Sequence, residues 1–268
     1  MDILLNHTAL SYLYCDRAFA HLILRNNLSK YDNSYASDGR RLHLFFQQVD
    51  SGVEPDLTLL SSPELMKMGL MYQNFRPLGN KVLRSTDGNL CLEMRFLYKL
   101  REIDDITYYF TGTIDRIDTD GNLIRVIDHK TTRMANLDNA LRAWCTSIQI
   151  PLYLFTVRHV LKDKIQDLDT DKLVGHYHVV GLSAGKFKLS PVIQEDTELV
   201  QDLLVRATEH VHRLVHQKIE EIFPNGRYHN ACKSCVLSDI CSARAEVRNE
   251  LLNEEGDEPY DPRTWHGN

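Results

Sequence analysis

The sequence predicts an α/β protein with a central mixed β-sheet flanked by helices, and three observations carry that expectation. Tyr108 to Lys130 reads as a β-hairpin, its side chains alternating in period two on either side of the turn Asp120-Gly121. Further strand-like runs, Leu90–Leu100 and Leu173–Leu182, stand before and after it. Apolar residues recur at helical spacing near both ends, through Leu13, Ala18 and Leu22 and again through Val200, Leu203, Ala207, Val211 and Leu214.

The whole-chain properties set bounds. A length of 268 residues buries one sizeable core or at most two small ones. Hydrophobic residues at 43% and charged residues at 25% are ordinary for a globular protein. No apolar run approaches the ~18–20 residues of a membrane span, so no membrane partner is expected. The first residues lack a basic segment leading into a signal-like core, which points to a cytoplasmic, reducing location. A formal net charge of -6 argues against nonspecific coating of nucleic acid and leaves room only for local basic patches. A Gly-x4-Gly-Lys phosphate loop is absent, so the chain encodes no ATP-driven motor.

Taken in order, residues 1–26 read as a helix capped by Thr8 or Ser11, with Cys15 inside it. The polar stretch 27–40 reads as a loop. A helix capped by Asp38 follows, in which Leu42, Phe45 and Phe46 take the core. Residues 63–72 form a short helix whose methionines fill core space. Lys81–Ser85 and Leu90–Leu100 form a second hairpin about Asp87-Gly88, with Leu90, Leu92, Met94, Phe96 and Tyr98 on one face. Glu93 falls on the opposite face with Cys91 and Arg95, either as a carboxylate near a metal or paired with a cation across the sheet.

Residues 133–146 form a short helix or pack loosely. Gln149 and Tyr153, four apart, share one face of the next helix, with Pro151 in its first turn, where a missing N–H costs little. Asp163–Lys172 is a charged turn, Leu173–Leu182 a strand, and Lys186–Lys188 an edge strand. Glu195–Ile222 is a long amphipathic helix ended by Pro224 and Gly226. The acidic stretch 246–268 reads as a tail.

Charge in the central hairpin demands explanation. Asp128 and Lys130 share a face with Ile124 and Val126, and pairing across the turn sets Asp115 beside Asp128. Carboxylates at a buried sheet end must be paired or must bind a cation. Magnesium or manganese would satisfy them and could activate water against a phosphodiester. An Asp128–Lys130 ion pair on a solvated hairpin is the alternative.

Gly-x-Ile-Asp-Arg-Ile-Asp (112–118) followed by Val-Ile-Asp-x-Lys-Thr (126–131) resembles the core of the PD-(D/E)XK nucleases, in particular the RecB-like branch that includes the CRISPR-associated iron–sulfur exonucleases. The resemblance implies a restriction-endonuclease-like core. It also assigns roles. Gly39-x-x-x-His43 resembles the family's upstream metal-binding histidine, so that His43, Asp115, Asp128 and the backbone carbonyl of His129 would hold Mg2+ or Mn2+. Lys130 would position the attacking water. Gln149, nineteen residues after Lys130, and Tyr153 resemble the Gln-x-x-x-Tyr motif that positions the DNA backbone.

Cys232, Cys235 and Cys241 are three closely spaced thiols, and in a chain without secretory features they point to a metal rather than disulfides. With Cys15 as fourth ligand they resemble the family's [4Fe-4S] staple, which ties the two ends of the chain together. Zinc on four cysteines, or on three cysteines and His229, is the competing chemistry. Cys91 and Cys145 have no such partners.

The resulting expectation is a single nuclease domain over residues 1–245 with the split cysteine site, followed by the tail. Its activity would be metal-dependent exonucleolytic cleavage of DNA, on single strands or free ends, in recombination, repair, replication or CRISPR adaptation. Any helicase, recombination or CRISPR partner would be a separate protein. A non-catalytic DNA-end-binding or assembly subunit and a structure- or sequence-specific endonuclease are the alternatives on the same fold.

Overall fold

The computed structural model describes residues 1–25, 34–76, 79–134, 136–181 and 186–218, together with Ile222, Cys235, Leu237 and Cys241. The chain divides into two compact units, one formed by residues 1–32, 100–109 and 203–268, the other by residues 33–99 and 110–202.

The larger unit is built on the predicted mixed sheet. Strand β2 (Lys81–Val82) and strand β3 (Leu92–Ile103) both pair with β4 (Ile106–Thr119), which pairs in turn with β5 (Ile124–Thr132). The β4–β5 ladder is antiparallel and in the register expected from Asp120-Gly121, with Thr119 opposite Ile124 and Arg116 opposite Ile127. Strand β6 (Leu173–Gly181) lies parallel to β5, and β7 (Lys186–Leu189) closes the sheet antiparallel to β6. A parallel neighbour needs a crossover. Helices α5 (Leu137–Cys145) and α6 (Gln149–Thr156) supply it. Asn136 starts α5 by accepting hydrogen bonds from the backbone of Asp138 and Asn139. Helix α6 comes so close to β6 that a Cβ on Gly175 would stand 2.0 Å from Ile150 Cγ2. Only glycine permits this approach.

Two helices precede the sheet. Helix α3 (Ser34–Ser51) buries Leu42, Phe45, Phe46 and Val49, a stripe at helical spacing, against Leu65, Met68, Met71 and Tyr72 of α4 (Pro63–Phe75). Helix α3 begins before Asp38, which therefore lies inside the helix rather than capping it. The hairpin expected at Asp87-Gly88 forms as a tight turn in which Ser85 N–H donates to the Asn89 carbonyl at 2.8 Å. Its first arm, however, extends as β2 along β4.

In the smaller unit, β1 (Asp2–Leu5) lies beside the start of β4, a strand the helical reading of the N-terminus did not anticipate. Short helices α1 (His7–Ser11) and α2 (Asp16–Phe19) follow, with a π-helical turn at Ala20–Leu24. Asn6, not Thr8 or Ser11, caps α1, and Cys15 occupies the cap position of α2. A five-residue helix preceded by an extended stretch still satisfies the apolar spacing, which is why periodicity alone misassigned it. Helix α7 (Thr197–Val215), whose residues from Leu203 onward belong to this unit, buries Val200, Leu204, Ala207, Val211 and Leu214 and ends seven residues before the expected Ile222. Among the described residues no helix is long and apolar enough to cross a membrane.

Candidate active site

The β4–β5 ladder stops at the pair Arg116–Ile127, and the next residue of each strand toward the open end is an aspartate. There the Asp115 carboxylate takes over the role of a strand carbonyl, its Oδ2 accepting the His129 backbone N–H at 2.6 Å. Asp115 is 8% exposed and Asp128 3%, so neither charge is left to water.

Each aspartate has its own set of partners. His43, brought in by α3, places Nδ1 3.5 Å from Asp115 Oδ2. Burial alone would lower the His43 pKa, but the Asp115 carboxylate outweighs it and raises the imidazole to about 9. Reciprocally, burial would raise Asp115, but His43 and the His129 N–H hold it down at about 2. Asp128 stands otherwise. Lys130 Nζ lies 2.8 Å from its Oδ2, and Gln149 Nε2 donates to its Oδ1 at 2.6 Å. Burial nevertheless raises the Asp128 pKa, with Lys130 opposing the shift and the Asp115 charge reinforcing it.

Gln149 is the hub of the second set. Its side-chain oxygen accepts from Lys130 Nζ at 2.9 Å, while Nε2 also approaches the Tyr153 hydroxyl at 3.1 Å. The four-residue spacing on α6 stacks Gln149 and Tyr153 on one face, as the sequence implied. The ammonium is thus fixed in place by a carboxylate and an amide oxygen.

Glu93 belongs with the first set. Donor atoms of His43, Glu93 and Asp115 all lie within 4.8 Å of one another, an acidic group able to hold a metal ion. The residue has a left-handed backbone, φ 50°, which interrupts the regular alternation of β3. Burial, and then the Asp115 charge, raise the Glu93 pKa. Sequence periodicity set Glu93 with Arg95 as readily as with a metal, and in the structure its carboxylate stands beside His43 and Asp115.

Behind His129 is a buried polar network that motif matching missed. The Asp50 carboxylate lies 2.6 Å from Arg116 Nη1 and accepts the Tyr72 hydroxyl at 2.7 Å. Arg116 in turn meets Asp118 at 2.8 Å, and Asn80 donates to Asp118 at 3.2 Å. His129 Nε2 stands 3.4 Å from the Tyr72 hydroxyl and 3.7 Å from Asp50. Burial opposes ionisation of Asp50, yet its contacts with His129 and Arg116 hold its pKa below the usual carboxylate value. Two signals could have found it: Asp50 follows His43 by two helical turns, and Arg116 is a charge in a strand otherwise patterned for burial.

The structure therefore brings His43, Asp115, Asp128, His129, Lys130, Gln149 and Tyr153 into one interacting set, and joins Glu93 to it. The cysteines lie elsewhere in the chain. Cys15 and Cys235 pack in one apolar cluster with Ala18, Leu22 and Leu237. Cys241 is half-buried, and Cys232 and His229 fall outside the described residues.

The family model of the PD-(D/E)XK nuclease superfamily matches residues 9–242. A crystal structure of SSO0001 is similar at 17% sequence identity and a TM-score of 0.42, covering 90% of this chain and 86% of that one. No curated protein matches the chain.

Proposed function

Because the chain belongs to the PD-(D/E)XK nuclease superfamily, we propose that it is a magnesium- or manganese-dependent deoxyribonuclease that digests DNA from free ends or along single strands. The observation that carries this reading is the joint contact of Lys130 with Asp128 and Gln149, beside the Asp115–His43 pair. A half-buried ammonium held between a buried carboxylate and an amide, next to a second buried carboxylate, is costly to maintain without chemistry.

The donor set suits a hard divalent ion, since it is dominated by carboxylate oxygens with a single imidazole. His43, Asp115, Asp128 and the His129 carbonyl would hold it, with Glu93 as a further donor. When bound, such an ion polarises the phosphodiester and activates water toward it. The chain's own residues do the rest. Lys130 orients the nucleophile and offsets charge developing on the phosphate. Gln149 fixes Lys130 and Asp128 relative to each other. Tyr153 extends that line of hydrogen bonds toward the strand. The Asp50–Arg116 network seats His129 and thereby its backbone.

The same reading places the protein in the RecB-like branch, with residues 1–245 as one functional nuclease domain and Cys15, Cys232, Cys235 and Cys241 as ligands of a [4Fe-4S] cluster or of zinc. It is supported by Cys15 and Cys235 sharing one cluster although far apart in sequence. Recombination, repair, replication or CRISPR adaptation would supply the substrate, delivered by a separate helicase or assembly partner.

Digestion of single-stranded DNA labelled at each end in turn, with Mg2+ or Mn2+, tests the reading. The native protein should release label from an end, and Lys130→Ala should bind DNA without cutting it. Binding without cleavage by the native protein would leave a non-catalytic end-binding subunit. Cutting of closed circular DNA would identify an endonuclease instead.

A further inference from the structure

We propose that Asp104, His212 and His216 form a binding site for a borderline divalent ion of the zinc class, built from residues that the nuclease centre does not use. All three lie in the smaller unit. Their ligand atoms fall within 4.8 Å of one another.

The geometry suits a bound ion. His212, in the last turn of α7, and His216, just past its end, are four apart, and their ring centroids stand 4.6 Å apart. His212 Nε2 and Asp104 Oδ2 stand 3.3 Å apart. A direct charge-assisted hydrogen bond would draw them to about 2.7–2.9 Å. Two ligands each ~2.0–2.1 Å from a tetrahedral zinc ion stand roughly 3.3 Å apart.

Two further features orient the ligands. The other ring nitrogen of His212, Nδ1, is 2.9 Å from the Tyr108 hydroxyl. That contact holds the ring in place, and with an ion on Nε2 the Nδ1–H can donate to the Tyr108 oxygen. Asp104 and Asp105 form the turn between β3 and β4 with φ values of 48° and 61°. Aspartate is, with glycine and asparagine, among the residues that adopt that conformation, and here it supplies the carboxylate.

Two imidazoles and one carboxylate select the softer first-row ions over magnesium. Three protein ligands leave a coordination position for water or for a fourth group. Bound there, the ion clips the end of α7 to the β3–β4 turn.

Titration with Co2+ and with Zn2+, using untagged protein as isolated, tests the site. The native chain should bind one equivalent of Co2+ more than the His216→Ala chain, which separates this site from the nuclease centre, and that equivalent should absorb in the visible without a thiolate-to-cobalt charge-transfer band, which separates it from the cysteines. Zn2+ should displace the Co2+ and raise Tm. His216→Ala, a change at an exposed side chain, should lose that equivalent and the Tm rise while keeping the native circular dichroism. Asp104→Asn should do the same, and Tyr108→Phe should weaken binding by about 10–100-fold. Equal stoichiometry and affinity in native, His216→Ala and Asp104→Asn proteins would overturn the site, as would a cobalt spectrum carrying the thiolate band alone.

Discussion

The Asp115 carboxylate accepts the backbone N–H of His129 at 2.6 Å, at the point where β4 and β5 stop pairing with each other. One side chain thus both closes the ladder and supplies charge to the site. The two roles separate by substitution. Asp115→Asn keeps an acceptor for the N–H and should lose metal-dependent cleavage together with only the stability that comes from the charge pairing with His43. Asp115→Ala should lose cleavage and also about 1–3 kcal/mol, because a buried donor is left unsatisfied. Denaturant melts of the two variants check this, and equal stability would show that the hydrogen bond contributes nothing.

Glu93 should behave as a donor to the ion. Glu93→Gln preserves shape and the left-handed backbone but removes the charge, so Mn2+ affinity should fall by an order of magnitude or more while the fold persists. Calorimetric titration of Mn2+ measures it. Unchanged affinity would return Glu93 to a purely local role beside Asp115.

In chelator, the His43–Asp115 pair makes stability depend on pH. The folded pKa of Asp115 is lowered, so its contribution is present above its unfolded value of about 4 and is lost as the pH falls through about 2. The folded pKa of His43 is raised, so its contribution is complete below about 6.5 and disappears as the pH rises through about 9. The pair therefore contributes in full between about pH 4 and 6.5. His43→Ala should lower Tm in that window and have little effect above about pH 10. Scanning calorimetry at constant ionic strength decides, and a Tm deficit independent of pH would exclude the pairing.

Gly175→Ala should impair the site from behind. The added methyl meets Ile150 at 2.0 Å and Leu154 at 3.3 Å, on the helix that carries Gln149. Overpacking of this kind costs ~1–3 kcal/mol. Because the displaced element holds Lys130, cleavage should fall further than the folded fraction at the assay temperature. Comparing activity with the denaturation curve of the same variant provides the check.

If the cysteines hold the metal or cluster proposed above, its removal should loosen the smaller unit. A protein with Cys15 and Cys235 both changed to Ser should lose iron or zinc by elemental analysis and melt at lower temperature. Full metal content and an unchanged Tm would show that these thiols are ordinary core residues.

Much of the architecture was determined by the sequence itself, because strand and helix periods and turn residues are local properties. Asp120-Gly121 set the β4–β5 register, the spacing of Leu42, Phe45 and Phe46 gave the buried face of α3, and the interval from Gln149 to Tyr153 placed both on one face of α6. The tertiary structure decided what local pattern cannot carry. A left-handed backbone at Glu93 moved a carboxylate into the company of His43 and Asp115, and Asp50 reached Arg116 across the fold. Likewise Asp104 met His212 only because a hairpin turn and a helix end, distant in sequence, fold into the same unit. Periodicity fixes which way a side chain points within its own element, whereas the pairing of buried charges depends on which elements pack together and at what distance.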